Sequence, residues 1–461
     1  MPAEILLSHG YFLELDPVEV KVMRPYPPLG LLYLSAYLKS KSITVEVFDA
    51  TFSTPEKLIA ALQASAPRRL GLYANMMTRS RVIQLIAAAR GLGFPVIVGG
   101  PDASGNPERY LEHGASAVVR GEGEVTLAEL LMRWTGEAPP EDIPGVSVLV
   151  GGALVNAPDR ALIPSLAAHP WPDREAIALE PYLQAWRGRH GYGSVSLITA
   201  RGCPYTCRWC SRAVYGESHR RRPTDDVVDE IAFIQKRYAP ERIWFVDDVF
   251  TIHRGWTIEF AAKMKERGLR IPFECITRAE RVDEEVAKAL VDLGCFRVWI
   301  GSESGSQRVL DAMDRGVRVE RVQQATHLLR TAGIEVGFFI MVGYEGEEDA
   351  DLVATVEHIR RSAPDVVLTT TSYPIRGTEY ASAVADRSMN PRPWAESSDR
   401  ETLIRGRRSV NYYAAARSWI ENDAESHRLR RAGRTVAALS PALRAGWARL
   451  KMRLRARERV A

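Results

Sequence analysis

ARGCPYTCRWCSRAVYG, residues 200–216, places Cys203, Cys207 and Cys210 in a C-x3-C-x2-C run at the end of an apolar strand pattern, SVSLITARG (194–202). Three thiolates on one loop suit iron–sulfur chemistry, because soft sulfur ligands hold such clusters. A four-iron cluster takes four ligands and the loop offers three, so one iron stays open to a small molecule. Zinc is the alternative metal. It ordinarily takes two separated pairs of protein ligands, and here Cys275 and Cys295 stand singly on other strand patterns. Five cysteines, an odd total, argue against a disulfide framework. Cys275 and Cys295 read as buried core thiols.

Downstream the same strand-then-helix pattern repeats. IWFVDD (243–248), PFECITR (272–278), RVWIGSES (297–304), EVGFFIMVG (335–343) and VVLTTTSYP (366–374) follow, separated by helical runs such as TDDVVDEIAFIQKRY and EEDADLVATVEHIRRS. With SVSLITARG that makes six strands, too few for the closed eight-stranded barrel. Upstream, AEILLSHG, TVEVFDA, RLGLYAN, PVIVGG and AVVRGE alternate with helical patterns over residues 3–136. Such alternation predicts a parallel sheet covered on both faces, with ligands outside the carboxyl ends of its strands. Gly99-Gly100-Pro101 and Gly121-Glu122-Gly123-Glu124 lie at such ends. The fold class is therefore α/β: a Rossmann-like parallel sheet domain followed by a partial (β/α)6 TIM-type barrel and a C-terminal helical segment. The expected boundaries are 1–140 for the first domain and 141–190 for a Pro-rich linker with a small hairpin around Gly151-Gly152. The barrel is expected over 191–385 and a basic helical region over 386–461.

The 461 residues are 46% hydrophobic and 26% charged, which excludes a disordered, collagen-like or disulfide-scaffold chain. No apolar run is long enough to predict a membrane span. MPAEILLSHG carries no signal-peptide pattern, so a cytoplasmic protein is expected. The net charge of +4 is uneven: residues 428–461 hold eleven Lys and Arg and one acid, Glu458. The remainder is net negative. Such a tail suits contact with anionic lipid, nucleic acid or an acidic partner; the plainer reading is a solvated, Arg-rich terminal helix.

The cysteine run, with aromatic Trp209 before its last Cys, resembles the radical S-adenosylmethionine superfamily. FVDDVF (245–250), CITRAE (275–280), GCFRVWIGSESGSQRVLDAMDRG (294–316), GIEVGFFIMVGYEGE (333–347) and SYPIRGTEY (372–380) are similar to successive blocks of the branch with an N-terminal cobalamin-binding domain. PPLGLLYLSAYL (27–38), GGPDAS (99–104) and ASAVVRGEGE (115–124) resemble that domain itself. The resemblance implies a 4Fe–4S cluster on Cys203, Cys207 and Cys210, with S-adenosylmethionine on the open iron. One electron from an external donor such as flavodoxin or ferredoxin then yields a 5′-deoxyadenosyl radical.

It also implies S-adenosylmethionine contacts at Trp209, at Asp247 and Asp248 for the amino group, at Arg278 for the carboxylate, at Glu303 and Ser304 for the ribose, and at Gly337 for the adenine edge. Each has a plainer alternative: a turn or cap aspartate, an Arg278 ion pair with Glu280 or Asp283, a solvated loop acid, and a buried parallel strand. For cobalamin the resemblance implies Asn75, Thr78, Gly99, Gly100, Pro101, Gly121, Glu122 and Glu124. The D-x-H-x-x-G motif that supplies a cobalt-binding His is absent, since Asp49-Ala50-Thr51 runs into Phe52. Asp102 stands where the branch often has His after GGP. A cofactor-free scaffold domain is the alternative there. His9 and His219 have no partner at ligand spacing and read as structural.

The activity so implied is C-methylation of an unactivated carbon by a cobalamin-dependent radical enzyme. One S-adenosylmethionine makes the radical and another remethylates cobalt. Oxidative cyclisation or rearrangement, of the anaerobic porphyrin-ring or hopanoid-tailoring kind, is the enzymatic alternative. A non-catalytic cobalamin or redox sensor is the alternative of another class. The substrate is expected to be a small molecule, lipid-like or large and hydrophobic. The tail, with Leu443, Trp447, Leu450 and Leu454 among its basic residues, is expected to touch a membrane surface at the inner face; a nucleic-acid partner is not expected.

Overall fold

The computed structural model describes residues 2–461. Strands of the two large sheets and helices of ten residues or more are labelled here in chain order. The first sheet holds β1 (Ile5–His9), β2 (Val45–Val47), β3 (Leu70–Tyr73), β4 (Val96–Gly99), β5 (Ala117–Val119), β6 (Val146–Val150) and β7 (Ala153–Asn156). Their spatial order is β2-β1-β3-β4-β5-β6-β7. The first five are parallel, and β6 and β7 form an antiparallel hairpin against β5. Residues read from the sequence as connecting chain thus extend this sheet. Helices α1 (Leu29–Ser40), α2 (Pro55–Ser65), α3 (Arg79–Gly91) and α4 (Gly123–Arg133) cover it. Thr54 caps α2 by accepting from the Lys57 N–H, with Pro55 at the first helical position. Leu70, Leu72, Val96, Val98, Ala117 and Val118 are buried because both faces are covered. The order 2-1-3-4-5 reverses direction between β1 and β3, which opens a crevice at their carboxyl ends.

Helix α5 (Glu180–His190) leads into the second sheet. Its Tyr182 hydroxyl donates to Asp49 at 2.8 Å, and its Trp186 indole donates to the Pro25 carbonyl at 2.7 Å. The second sheet runs β8 (Ser194–Leu197), β9 (Arg242–Phe245), β10 (Phe273–Thr277), β11 (Cys295–Glu303), β12 (Glu335–Val342) and β13 (Val366–Thr371). These six strands are parallel and neighbour one another in chain order, as a partial barrel requires. Helices α6 (Thr224–Tyr238), α7 (Arg254–Glu266), α8 (Glu284–Leu293), α9 (Val319–Thr331) and α10 (Asp349–Ser362) connect them. Val195, Leu197, Ile243, Phe245, Val298, Ile300, Val336 and Phe338 form the core between strands and helices. On the opposite side of β11 and β12, Trp299 stacks on Phe339 at 5.0 Å and donates to Glu274 at 2.8 Å.

The chain ends in α11 (Val410–Arg431) and α12 (Leu439–Leu454), which pair with each other; α11 packs on β13 and α10. Just before them, residues 397–399 return to the first sheet. The buried Arg79 guanidinium donates to Asp102 at 2.8 and 2.6 Å, to Asp399 at 2.7 Å and to the Ser397 carbonyl at 3.1 Å.

Candidate active site

The carboxyl ends of the two sheets face one cavity of about 790 Å³. On one side stand Leu7, Gly71, Tyr73, Ile97, Gly99, Gly100, Pro101, Gly121 and Glu122, the crevice of the first sheet. On the other stand Asp248, Thr277, Arg278, Gly301, Glu303 and Phe339, at or beyond strand ends of the barrel. The cysteine loop closes it, with Cys203, Cys207, Trp209, Cys210 and Tyr215 along the wall.

Local rules set the loop. Its ends are tied by a two-residue antiparallel ladder, Arg201 to Arg220 and Ala200 to Arg221. Gly202 sits at φ +85°, and a Cβ there would lie 2.4 Å from the Ser218 carbonyl oxygen, so only glycine fits. Asp247, fully buried, accepts from the Thr199 N–H at 2.6 Å and the Ala200 N–H at 3.1 Å, fixing the chain as it enters. Further along, the Thr206 hydroxyl donates to Asp314 at 2.9 Å and the Arg208 N–H to the Met313 carbonyl at 3.1 Å. Two guanidiniums reach Cys207: Arg278 at 3.5 Å and Arg315 at 3.6 Å. Arg278 also lies over the Tyr205 ring at 3.7 Å, and Arg315 donates to the Gly301 carbonyl at 2.8 Å.

These residues fit an iron–sulfur cluster better than zinc. Among the described residues no three His, Cys, Asp or Glu side chains converge on a single-ion position. A zinc site gathers its ligands within one shell of about 2.3 Å, whereas a cluster takes each thiolate on a different iron. Burial pushes the Cys210 thiol up to about 12, with the nearby charges of Asp248, Cys207 and Cys203 adding to the effect. Burial raises Cys203 in the same direction. Cys203 and Cys210 are thus poor free thiolates and take that form with a cationic metal to neutralise them. The facing wall fits a large ligand approached by backbone. A Cβ at Gly30 would meet no protein atom within 4 Å, and at Gly99 and Gly121 its nearest neighbours would be carbonyl oxygens at 3.6 and 3.8 Å. No histidine lines the cavity among the described residues.

The predicted residues divide by direction. Cys203, Cys207, Cys210, Trp209, Asp248, Arg278, Glu303, Gly99, Gly100, Pro101, Gly121, Glu122 and Glu124 line the cavity. The Trp209 indole N–H is buried with no partner. Glu303 is a non-glycine residue at φ +60°, just past a register shift between Gly301 and Glu303 in β11. Such strain concentrates at functional sites. Burial raises its pKa, opposed by Arg315 and Arg278, and the Arg315 Nε is 4.0 Å from its carboxylate. Asp248 is exposed into the cavity space, and desolvation by the surrounding walls, followed by the Asp247 charge, raises its pKa.

Others turn away. Asp247 is spent on Thr199 and Ala200. Ser304 bonds Thr355 at 3.2 Å and accepts from the Ser306 N–H at 3.1 Å behind the strand end. Gly337 sits against Trp299, whose ring a Cβ would meet at 2.3 Å, so its glycine answers packing. Asn75 and Thr78 are occupied by the start of α3: Asn75 accepts from the Met77 and Thr78 N–H groups at 2.9 and 3.0 Å, and Thr78 accepts from the Asn75 N–H at 3.1 Å. Asp49 accepts from His9 at 3.1 Å and from Tyr182. Glu122 and Glu124 line the cavity, yet their carboxylates hold the two halves together. Glu122 accepts from Arg201 at 3.1 Å, Arg220 at 2.6 Å and the Ile163 N–H at 2.8 Å; Glu124 accepts from Arg201 at 2.6 Å and lies 3.5 Å from His169. Arg278 is likewise spent on Glu280, Cys207 and the Arg315 carbonyl.

Arg201 and Arg315 were not among the predicted residues. Arg201 sits two positions before Cys203, which was its available signal; Arg315 lies inside the DAMDRG run (311–316), far from the cysteines, and had none of that kind.

A doubly wound sheet and a partial barrel that share one cavity, with three cysteines on the barrel side, define the class of radical enzymes that unite an iron–sulfur cluster with a corrinoid. Comparison with known proteins agrees. Residues 197–359 match the family model of the Radical SAM superfamily, and residues 17–131 match that of the B12 binding domain. The chain belongs to the radical SAM superfamily and carries an N-terminal B12-binding domain. Its cofactors are accordingly a 4Fe–4S cluster, S-adenosylmethionine and cobalamin. An uncharacterised methyltransferase of Pyrococcus horikoshii is 29% identical over 387 residues, which cover 80% of this chain and 83% of that one. An anaerobic magnesium-protoporphyrin IX monomethyl ester cyclase of Rubrivivax gelatinosus is 26% identical over 356 residues, covering 74% and 63%. Among solved structures, the radical S-adenosylmethionine methyltransferase TsrM of Kitasatospora setae, with cobalamin and a 4Fe–4S cluster bound, superposes with a TM-score of 0.71 at 19% identity over 86% of this chain and 81% of that one. That likeness concerns the fold.

Proposed function

We propose that the protein is a cobalamin-dependent radical C-methyltransferase acting on an unactivated carbon of a small molecule, lipid-like or large and hydrophobic. The single observation that carries this is the shared cavity: three cysteines on one wall, a glycine-lined strand-end crevice on the other, and nothing of the protein between. When bound, the cluster and S-adenosylmethionine supply a carbon-centred radical, and cobalamin supplies a transferable methyl group.

The chain's own residues position and shield. Cys203, Cys207 and Cys210 hold the cluster, and Arg278 and Arg315 steady Cys207 by donating to its sulfur. Asp248 and Glu303 present carboxylates to the cavity for ammonium and hydroxyl donors of S-adenosylmethionine, and Trp209 lies beside the last cluster ligand. Gly99, Gly100, Pro101 and Gly121 let the corrinoid approach backbone. Leu7, Leu31, Tyr73, Ile97 and Val119 form an apolar wall that excludes water from a radical reaction. A lipid-like substrate suits that wall. The electron donor is a flavodoxin or ferredoxin, and the protein is cytoplasmic, peripheral to the inner membrane face. Among the described residues no helix is long and apolar enough to cross a membrane.

The test is mass spectrometry of products after anaerobic incubation of the reconstituted enzyme with lysate and S-adenosylmethionine. The comparison is a Cys203→Ala/Cys207→Ala/Cys210→Ala variant. A product heavier by one methyl, with 5′-deoxyadenosine formed alongside, is expected from the wild type only. A product that loses hydrogens or gains oxygen overturns methylation in favour of cyclisation. Cobalamin binding without consumption of S-adenosylmethionine overturns catalysis in favour of a sensor.

A further inference from the structure

We infer that α12 is a docking helix for an anionic lipid bilayer. The helix buries Pro441, Ala445, Ala448 and Met452 against the body of the protein. At 3.6 residues per turn, Leu439, Leu443, Trp447, Leu450 and Leu454 fall within an arc of about 80°, centred about 170° from the buried face. These five side chains are 46–76% exposed. A stripe opposite the packed face cannot be core, and five aligned large apolar side chains exceed the scattered singles of an ordinary surface.

Charge decides the occupant. Arg444 and Lys451 border one edge of the stripe and Arg453 the other, while Arg449 on that side turns back over the Trp419 ring at 4.8 Å. No acid occurs between Arg428 and Arg457, and Glu458, the nearest, is engaged by the Ser409 hydroxyl at 2.7 Å. An apolar stripe between basic margins is the pattern of a helix lying in the interface of an anionic membrane. A second copy of this chain would bring the same cations face to face. A nucleic acid would leave the central apolar stripe in contact with phosphate.

The inference rests on the proposed cytoplasmic location, where an anionic leaflet is within reach, and not on the reaction. Loss of lipid binding leaves methyl transfer intact, and absence of methyl transfer leaves lipid binding intact. The test is flotation of the full-length, anaerobically reconstituted protein on vesicles of phosphatidylglycerol in phosphatidylcholine, against phosphatidylcholine alone. Wild-type protein is expected to float with the anionic vesicles at low salt and to be released at high salt. Leu443→Glu/Trp447→Glu is expected to weaken partition at least about tenfold, and each of Arg444→Gln and Lys451→Gln about fivefold. Both apolar positions are exposed, so unchanged thermal unfolding of the double variant shows that the fold is kept. The inference is overturned if wild type stays with the pellet at low salt, or if the double variant floats as well as wild type. It is also overturned if light scattering finds a dimer that the double variant dissolves.

Discussion

Arg201→Met tests the join between cofactor domain and cluster loop. The wild-type guanidinium is buried and bonds Glu122 at 3.1 Å and Glu124 at 2.6 Å. Burial alone pushes the Glu124 carboxyl up. The His169 hydrogen bond, then the charge and hydrogen bond of Arg201, outweigh burial and bring it down to about 2 from an ordinary 4.5. A depressed carboxyl stabilises the fold at pH above its unfolded value and loses that contribution as pH falls from 4.5 towards 2. A shift of that size corresponds to about 3 kcal/mol, and removing one partner of a buried pair costs a similar amount, about 3–5 kcal/mol. Glu122 keeps Arg220, so most of the loss falls on Glu124. Urea unfolding of the apo chain should therefore show Arg201→Met weaker by about 3 kcal/mol near pH 7. The difference should shrink as pH falls below 4.5, to about half its value near pH 3 and towards zero only near pH 2, because a protonated Glu124 no longer requires a cation. A gap below about 1 kcal/mol near pH 7 would refute the reasoning, as would a gap that does not change with pH.

The triple cysteine-to-alanine variant should purify without iron or the broad charge-transfer absorbance of a cluster, while retaining cobalamin; iron retained in it would place the cluster elsewhere. Gly100→Ala should cost about 2 kcal/mol or more, because φ is +104° and the new Cβ would lie 2.5 Å from the Ala74 carbonyl oxygen. Its cobalamin titration, followed by absorbance, should weaken while iron content holds. Arg315→Gln should keep the cluster but lower its reduction potential by about 50 mV, because a cationic donor to the Cys207 sulfur is lost. An unchanged potential in an electron-paramagnetic-resonance titration would make Arg315 a packing residue only.

The architecture was legible because it rests on long apolar patterns. All six barrel strands and all five parallel strands of the first sheet lie within the apolar runs read from the sequence. The β6–β7 hairpin was half-hidden: its turn at Gly151-Gly152 was readable, but its pairing onto β5 depends on a neighbour far away in sequence. The interdomain bonds of Arg79 to Asp399, of Arg201 and of Arg220 were illegible for the same reason, since each spans more than seventy residues and leaves no local period.

What the sequence resolved least was direction at the strand ends, and two adjacent pairs show why. Asp247 and Asp248 share a motif, as do Glu303 and Ser304. Consecutive residues of an extended chain point to opposite sides, so one member of each pair faces the cavity and the other supports the loop. Asp248 and Glu303 line the cavity; Asp247 and Ser304 bond backbone behind it. At Glu303 even the parity was unpredictable, because the register shift between Gly301 and Glu303 resets it. The two kinds of position therefore answer differently to substitution. Asp247→Asn should disturb the entry to the cysteine loop and with it iron retention. Asp248→Asn should leave the cluster in place and weaken S-adenosylmethionine, so that iron content and ligand affinity, measured on the same two variants, tell a supporting acid from a contacting one.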